Sequence, residues 1–175
     1  MRKLASEELY NYAVRYLSQR SASSEELKGK LRPRAATPAD VDAAIARLKD
    51  VGYLDDRKFA ESFASGRVEN LGFGRMRVLT DLRARRVSGK LAEKAVERAF
   101  EGKAEAELID AFIERRLPSL RNRERIEGDR ELARAYRRLR RAGFTSGAVL
   151  AALRRLAAHP ESIEDPGDED EQESD

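Results

Sequence analysis

The amino-acid sequence predicts an all-α protein made of three tandem three-helix repeats stacked into an elongated, curved rod. The first observation is a recurring pattern, since Leu31, Leu82 and Leu139 lie 51 and 57 residues apart. The second is that apolar residues follow helical spacing along most of the chain, whereas alternating strand-like runs are nearly absent. The third is composition: 38% of the residues are charged and 6% are aromatic, which suits slender helical layers with a large surface.

The first repeat is predicted over residues 1–54. Its first helix begins near Ser6, and its second begins at Ser23, which starts a capping-box pattern. The third helix begins at Thr37, because a threonine followed by proline is typical of an N-cap and the first helical residue. Gly52 then lies where a left-handed residue ends a helix.

The second repeat is predicted over residues 55–102. Either Asp55 or Asp56 is expected to cap its first helix, since a carboxylate accepts hydrogen bonds from the first free amides. The segment Leu71–Gly74 is predicted to be a turn, after which a second helix carries apolar residues at helical spacing. Ser88 is expected to cap the third helix of this repeat.

The third repeat is predicted over residues 103–159, with helices at about 103–117, 129–141 and 147–158. Its longer spacing from the second repeat fits an enlarged connection at residues 118–128. Insertions in repeat proteins map to loops, which often lie on a binding face. The remaining residues, 160–175, are too polar to form a core and are predicted to be a disordered acidic tail.

The net charge of +3 is unevenly distributed along the chain. Residues 160–175 contain nine acidic residues and no Lys or Arg, whereas residues 1–159 contain 35 basic and 23 acidic residues, a net charge of +12. A basic body is attracted to nucleic acid or to acidic protein surfaces. The acidic tail has two interpretations: it improves solubility, or it mimics phosphate and competes for the basic face.

Several classes of protein are disfavoured by what the sequence lacks. There is no cysteine, which excludes disulfides and thiolate metal sites. The first residues lead directly into a charged amphipathic segment instead of a secretory signal, and no apolar run approaches the roughly 18 residues of a membrane span. The sequence therefore allows a reducing compartment such as the cytoplasm, and we expect no contact with a membrane.

The sequence offers little chemistry for catalysis. The one histidine, His159, lies at a predicted helix end with no evident partner. The adjacent carboxylates Asp55 and Asp56 fit a helix cap better than an acid–base or metal site. The glycines of Leu71–Gly74 lack the lysine and preceding strand of a phosphate-binding loop. We predict no enzymatic activity, no metal and no cofactor.

Two arginine-rich helices are the candidate binding face. Residues 115–155 contain thirteen arginines and four acidic residues, and several of these arginines recur at helical spacing. Guanidinium groups bind both carboxylates and phosphates through paired hydrogen bonds, which favours an acidic protein surface or a DNA backbone. A merely solvated charged face is the alternative. The predicted face consists of Arg75, Arg77, Arg83, Arg85, Arg86, Arg134, Arg137, Arg138, Arg140 and Arg141.

An ordered set of motifs resembles the RecX family, the regulatory proteins of the RecA recombinase. The set comprises Leu48-Lys-Asp-Val-Gly-Tyr-Leu-Asp-Asp56 followed by Phe59-Ala60, then Gly74-Arg75, then Leu139-Arg-Arg-Ala-Gly-Phe-Thr145. The resemblance covers about residues 6–156. One departure is Arg86-Val87, where the family usually has a basic residue followed by glycine. A second is Arg-Ala-Gly at residues 141–143, where two basic residues commonly precede the glycine.

The resemblance implies a cytoplasmic bacterial protein that binds the RecA–single-stranded-DNA filament during DNA repair and the SOS response. It implies regulation, most often inhibition, of the recombinase, ATPase and co-protease activities of RecA. We expect a monomer whose arginines face acidic groups or DNA in the filament. Two alternatives stay open: an autonomous DNA-binding protein with helix-turn-helix-like units, and a helical scaffold for an acidic protein partner.

Overall fold

The structure is a computed structural model that describes residues 3–121 and 129–157. Among these residues there are ten helical segments and no β-strand, and Leu4 forms an isolated bridge with Ala35. The helices are α1 (Ser6–Gln19), α2 (Ser24–Leu31), α3 (Pro38–Asp50), α4 (Asp56–Leu71), α5 (Arg75–Ala84), α6 (Gly89–Ala99), α7 (Glu105–Arg116), α8 (Pro118–Arg121), α9 (Asp129–Arg141) and α10 (Ser146–Leu156).

The all-α class is confirmed, and nine of these helices match the nine predicted. The tenth, α8, is a four-residue turn of helix that falls in the connection predicted before α9. Most of that connection, the histidine at position 159 and the acidic segment 160–175 lie outside the described residues.

The chain forms two compact units. The first unit contains the residues up to Leu71 together with Val78–Glu101, and the second contains Gly72–Arg77 together with the residues from Gly102 onward. In each set of three long helices the first packs against the third: α1 against α3, α4 against α6, and α7 against α10. The three repeat boundaries themselves stay a prediction.

The core of each unit is built from the apolar helix faces that the sequence pattern predicts. In the first unit Leu9, Leu31 and Leu48 are fully buried. In the second unit Leu139 and Phe144 are fully buried, as are the apolar residues of α10 that face α7 and α9. The Phe144 ring meets the Phe112 ring edge-on, with 5.7 Å between centroids, a favourable aromatic geometry.

Short-range capping follows the sequence closely. The Ser23 hydroxyl accepts a hydrogen bond from the amide of Glu26 at 3.1 Å. Thr37 and Asp40 form a complete capping box at the start of α3. Asp55 is the cap of α4, because its Oδ1 accepts from the amides of residues 57 and 58, both at 3.0 Å. Ser88 holds the N-cap position of α6 but its side chain makes no capping hydrogen bond, contrary to the prediction.

Three helices end in the same left-handed turn. Gly52, Arg86 and Gly143 have φ angles of 76°, 58° and 93°, and each is followed by an amide that bonds to the carbonyl five residues before it. This pattern is the Schellman motif, in which the left-handed residue is normally glycine. Arg86 therefore carries a backbone strain that the two glycines do not. The departure at Arg86-Val87 leaves the form of the helix end unchanged.

Candidate functional site

Helix α9 presents one continuous line of exposed arginines. Its buried residues, Ala135, Leu139 and Ala142, face the core of the second unit, so the opposite side of the helix faces outward. Arginines occur there at i, i+4, i+7 and i+11, which places them on one line along the helix surface. This arginine row consists of Arg130, Arg134, Arg137 and Arg141.

Arg130 extends the row by a full turn and was missed in the sequence-based prediction. The signal was present, since Arg130 precedes Arg134 by four residues and Arg137 by seven. The prediction instead counted Arg138, which is exposed but lies nearer the buried edge of the helix. The row spans about 16 Å at 1.5 Å of rise per residue.

The arginine row has no partner among the described residues. All four side chains are exposed, and no hydrogen bond or ion pair joins their guanidinium groups to the described part of the chain. Four like charges about 5–6 Å apart along a helix repel one another. A ligand with closely spaced negative charges relieves that repulsion, so the row suits a polyanion.

The neighbouring Arg140 has a partly structural role. Its Nη1 donates to the carbonyl of Phe144 at 2.8 Å, which satisfies a backbone acceptor just beyond the end of α9. Its side chain is nevertheless exposed and lies on the flank of α9 away from Arg138. Arg140 thus stabilises the helix end and adds positive charge beside the row.

Two glycines bring the start of α5 against the end of α9, within the second unit. The amide of Gly74 donates to the carbonyl of Ala142 at 2.7 Å, and the amide of Met76 donates to the carbonyl of Gly143 at 3.2 Å. A Cβ at Gly143 would overlap the backbone of Arg77, and a Cβ at Gly74 would overlap the carbonyl of Gly143. We call this contact the glycine joint.

The glycine joint places Arg75 and Arg77 beside the end of the arginine row. Both are exposed, and the Arg77 guanidinium lies over the Phe73 ring at 5.3 Å. Two motifs that are distant in sequence, Gly74-Arg75 and 139–145, therefore meet in space. Arginines from both predicted stripes converge at this joint, and their shared charge enlarges the surface available to a polyanion.

Arg85, by contrast, is committed to the interior of the first unit. Its Nε donates to Glu26 Oε2 at 2.7 Å, and its Nη2 donates to the carbonyl of Ser21 at 2.8 Å. Its guanidinium lies 5.2 Å from the Phe59 ring and 5.4 Å from the Phe63 ring, within cation–π range. The Arg85 and Glu26 side chains are only 23% and 15% exposed. This arginine links α5 to the start of α2.

The other two arginines at this end of α5 are exposed but differently placed. Arg86 has its guanidinium against Gly29, where its Nη1 would lie 2.7 Å from an added Cβ. Arg83 lies 4.0 Å from Glu93, an exposed pair that contributes little to stability. The structure thus separates the ten predicted arginines: those near the glycine joint gather in the second unit, whereas Arg83, Arg85 and Arg86 lie in the first.

The paired carboxylates Asp55 and Asp56 are structural, as the capping interpretation predicts. The backbone amides of Lys58 and Arg57 hold the pKa of Asp55 below its ordinary value. Asp56 Oδ1 accepts from the amide of Ser24 at 2.6 Å, so this residue caps α2 from a distance. Among residues 3–121 and 129–157 there is no group of three or more histidine, cysteine or acidic side chains that could hold a metal ion.

The first unit also has an apolar cleft of about 390 Å³. Its apolar wall contains Leu17, Phe59 and Phe63, and polar side chains such as Lys58 complete the lining. Val51 and Tyr53 lie at the turn after α3 and are 54% and 62% exposed, and Tyr53 also lines the cleft. Exposed apolar groups around a cleft are typical of a protein-binding surface.

Comparison with known proteins identifies the family. The chain is 35% identical over 143 residues to "Regulatory protein RecX" of Thermus thermophilus, an alignment that covers 82% of this chain and 88% of that protein. The chain belongs to the RecX family. A RecX protein of Halorhodospira halophila is likewise 35% identical over 149 residues, which is 85% of this chain and 88% of that one. These relatives are named as regulatory proteins.

Two RecX family models match the helices described above. The first three-helix domain of RecX matches residues 10–48, and the second matches residues 55–96. The crystal structure of RecX from Lactobacillus salivarius has the same fold, with a TM-score of 0.70 over 86% of this chain and 95% of that one. Its identity of 22% makes this a likeness of fold alone. Across the described ranges, no helix has the length and apolar composition that a membrane span requires.

Proposed function

We propose that this protein binds the RecA–single-stranded-DNA filament and lowers the recombinase, ATPase and co-protease activities of RecA. Membership of a family of regulatory proteins supports a role in control, and the arginine row supports a polyanionic target. We propose further that the protein is a cytoplasmic monomer without enzymatic activity. The unpartnered arginine row is the observation that carries the proposal, because the described part of the fold uses none of those four guanidinium groups.

The proposed contact consists of the arginine row together with Arg75, Arg77 and Arg138. In the filament groove these residues would face DNA phosphates or acidic side chains of RecA, which are both ligands for guanidinium. Arg85 is left out of the contact, since its donors are already bound to Glu26 and Ser21. Arg83 and Arg86 lie at the same end of α5 and are left out with it.

The apolar cleft favours a filament over DNA alone as the target. Nucleic-acid surfaces are recognised through charge and stacking, whereas a cleft lined by Leu17 and Phe63, with the exposed Tyr53 on its wall, offers apolar contacts to a protein. A target that combines protein and DNA uses both surfaces. A helical scaffold for an acidic protein partner remains the weaker alternative, since it explains the arginine row but not the family.

An autonomous helix-turn-helix protein is disfavoured by the third helices of the first two sets, α3 and α6. A recognition helix must present polar side chains to base edges. In α3 and α6 the exposed arginines Arg47 and Arg98 are already paired with acidic side chains. Arg47 donates to Glu7 at 2.7 Å and stacks on a tyrosine ring, and Arg98 donates to Glu61. The arginines of these two helices are therefore not available to base edges.

The test is the hydrolysis of ATP by RecA on single-stranded DNA, with this protein titrated below the RecA concentration. The assay is repeated with a large excess of DNA. A loss of hydrolysis that persists with excess DNA is expected, because the filament is then the target. Inhibition that vanishes as DNA is added would instead identify a DNA-binding protein that sequesters the substrate, and no inhibition at either DNA concentration would contradict the proposal.

A further inference from the structure

The acidic end of the chain begins in the unit that carries the arginine row. The last described helix, α10, packs against α9 and ends at Leu156. Eighteen residues follow Ala157, and residues 160–175 contain nine acidic residues and no basic one. Four of those acids are consecutive, at positions 168–171. A dense negative segment therefore follows, in the sequence, the helix that packs against α9.

The arginine row is within reach of this segment. Helix α9 is about 20 Å long, and the row occupies about 16 Å of it. A chain spans at most about 3.3 Å per residue, so the seven residues from Ala157 to Glu164 can cover about 23 Å. The row faces away from the core in which α10 packs, so the segment must also pass around α9. The acids at positions 168–175 begin eleven residues beyond Ala157, which gives a reach of about 36 Å and is sufficient for this path.

Charge complementarity favours this face. Carboxylates bind guanidinium groups through paired, charge-assisted hydrogen bonds, and the row offers four guanidinium groups with no partner among the described residues. Elsewhere on the described surface many basic side chains already face acids, as Arg47 faces Glu7 and Arg155 faces Asp110. Cations such as Lys30 and Lys90 are exposed too, but the four arginines of α9 lie on one line along a single helix face and are closely spaced.

We propose that residues 160–175 bind the arginine row of α9 in the same chain, so that a polyanion must displace them. The choice of DNA as the displacing ligand rests on the proposed function, whereas the internal contact does not. A short tether gives an effective concentration of about 1 mM. If the free segment binds with a Kd of about 100 µM, the tether lowers the affinity for a competing polyanion about tenfold.

The internal contact is measured without DNA or RecA. The full-length chain, with every acidic residue of 160–175 replaced by Asn or Gln, is titrated with a fluorescent peptide of sequence 160–175 at low salt. Saturable binding is expected, with a Kd near about 100 µM that weakens as salt is added. Binding must be lost in the same chain carrying R130Q/R134Q/R137Q/R141Q. It must persist in K30Q/R32Q/K90Q/K94Q, which removes the same charge from other exposed sites.

If the peptide binds R130Q/R134Q/R137Q/R141Q and K30Q/R32Q/K90Q/K94Q equally well, the assignment is overturned, because binding would then depend only on net charge. No binding to the neutral-tail chain would overturn it as well. Dilution distinguishes a contact within one chain from a contact between two copies. If the native tail reduces polyanion binding less strongly as the protein is diluted, the contact forms between copies, and binding within one chain is excluded.

Competition is measured with a labelled oligothymidylate. The neutral-tail chain is expected to bind it about tenfold more tightly than the native chain at low salt, and the gain should disappear in R130Q/R134Q/R137Q/R141Q. Equal affinities for the two tails would contradict the competition. If the peptide binds the row but no form of the chain binds the oligonucleotide, the internal contact stands and the proposed DNA contact fails.

Discussion

The same residue type has opposite roles at the end of α5 and on the outer face of α9. Arg85 uses its guanidinium for Glu26, the Ser21 carbonyl and two phenylalanine rings of the first unit. Arg134, in the second unit, lies on an exposed helix face with no described partner. Both belong to arginine-rich stripes of similar composition, yet one stabilises the fold and the other is available to a ligand.

The difference shows that the role of an arginine stripe depends on the groups that its side chains contact. A guanidinium that meets a carboxylate and a carbonyl with little exposure is a structural group, and its loss costs stability. A row of guanidinium groups facing only solvent adds repulsion to the folded state and benefits from an external anion. Stability measurements therefore separate the two roles more sharply than composition does.

The largest expected effect concerns the glycine joint, which holds the exposed start of α5 beside the arginine row. Gly143→Ala is expected to lower the free energy of unfolding by about 3 kcal/mol, because an alanine is strained at φ 93° and its Cβ overlaps the Arg77 backbone. The matched control is Gly102→Ala, where φ is 68° but nothing lies within 4 Å of the added Cβ. That change should cost about 1 kcal/mol. Urea unfolding followed by circular dichroism measures both, and equal losses would exclude a tight joint.

The comparison itself is tested by Arg85→Ala against Arg134→Ala. The first change should cost about 2 kcal/mol, since it removes two hydrogen bonds and the ring contacts, while Glu26 keeps Arg20 at 3.1 Å. The second should change the free energy of unfolding by less than about 0.5 kcal/mol. If the urea midpoints of the two variants coincide, Arg85 and Arg134 do not differ in their contribution to stability.

A smaller effect is expected where α5 ends in a strained residue. Arg86→Gly should stabilise the chain by about 0.5 kcal/mol, because glycine adopts φ 58° without the steric penalty of a side chain. Arg83→Gly, three residues earlier inside the helix, should destabilise it by about 1 kcal/mol. The thermal midpoints of the two variants are thus predicted to shift in opposite directions. A destabilising Arg86→Gly would mean that the side chain over Gly29 matters more than the strain.

The smallest effect is a pH dependence confined to the first unit. Hydrogen bonds from the Lys58 and Arg57 amides lower the pKa of Asp55 from 3.8, and those from the Arg57 and Arg98 guanidinium groups lower the pKa of Glu61 from 4.5. Depressed pKa values stabilise the fold above the ordinary values and lose that contribution as the pH falls through the folded ones. The urea midpoint should therefore decrease below about pH 4.5.

The double variant D55N/E61Q provides the control for this pH dependence. Its urea midpoint should be lower at neutral pH and should change less on acidification than that of the native chain. Arg134 contacts neither carboxylate, so R134A should follow the native pH profile. An unchanged profile in D55N/E61Q would rule out these two carboxylates as the source.

Local features could be predicted from the sequence because they depend on neighbours a few residues away. Thr37 with Asp40 and the left-handed Gly52 are examples, since a cap or a C-terminal glycine acts within one helical turn. The row on α9 was mostly predicted for the same reason, as helical spacing fixes which side chains share a face. Arg130 belonged to that pattern and was overlooked.

Long-range partners could not be predicted. Glu26 lies 59 residues from Arg85, and nothing in the local pattern of α5 distinguishes Arg85 from Arg83. The role of Asp56 as a cap of α2 depends on a partner 32 residues earlier. The pairing of Gly74 with Gly143 likewise depends on two backbones that approach closely only in the folded chain. These three long-range contacts stabilise the packing of the helices. The arginine row takes part in none of them.

The most direct test of the central claim is RecA ATP hydrolysis on single-stranded DNA with R130Q/R134Q/R137Q/R141Q in place of the native chain. If each of the four arginines binds one phosphate of single-stranded DNA, the logarithm of the binding constant falls with the logarithm of the salt concentration with a slope of about −2.8. This slope corresponds to about a fiftyfold loss of affinity between about 50 and 200 mM salt. We expect the variant to lose inhibition at substoichiometric amounts, while K30Q/R32Q/K90Q/K94Q inhibits like the native chain. Undiminished inhibition by the row variant, with native-like unfolding, would contradict the claim that α9 makes the contact.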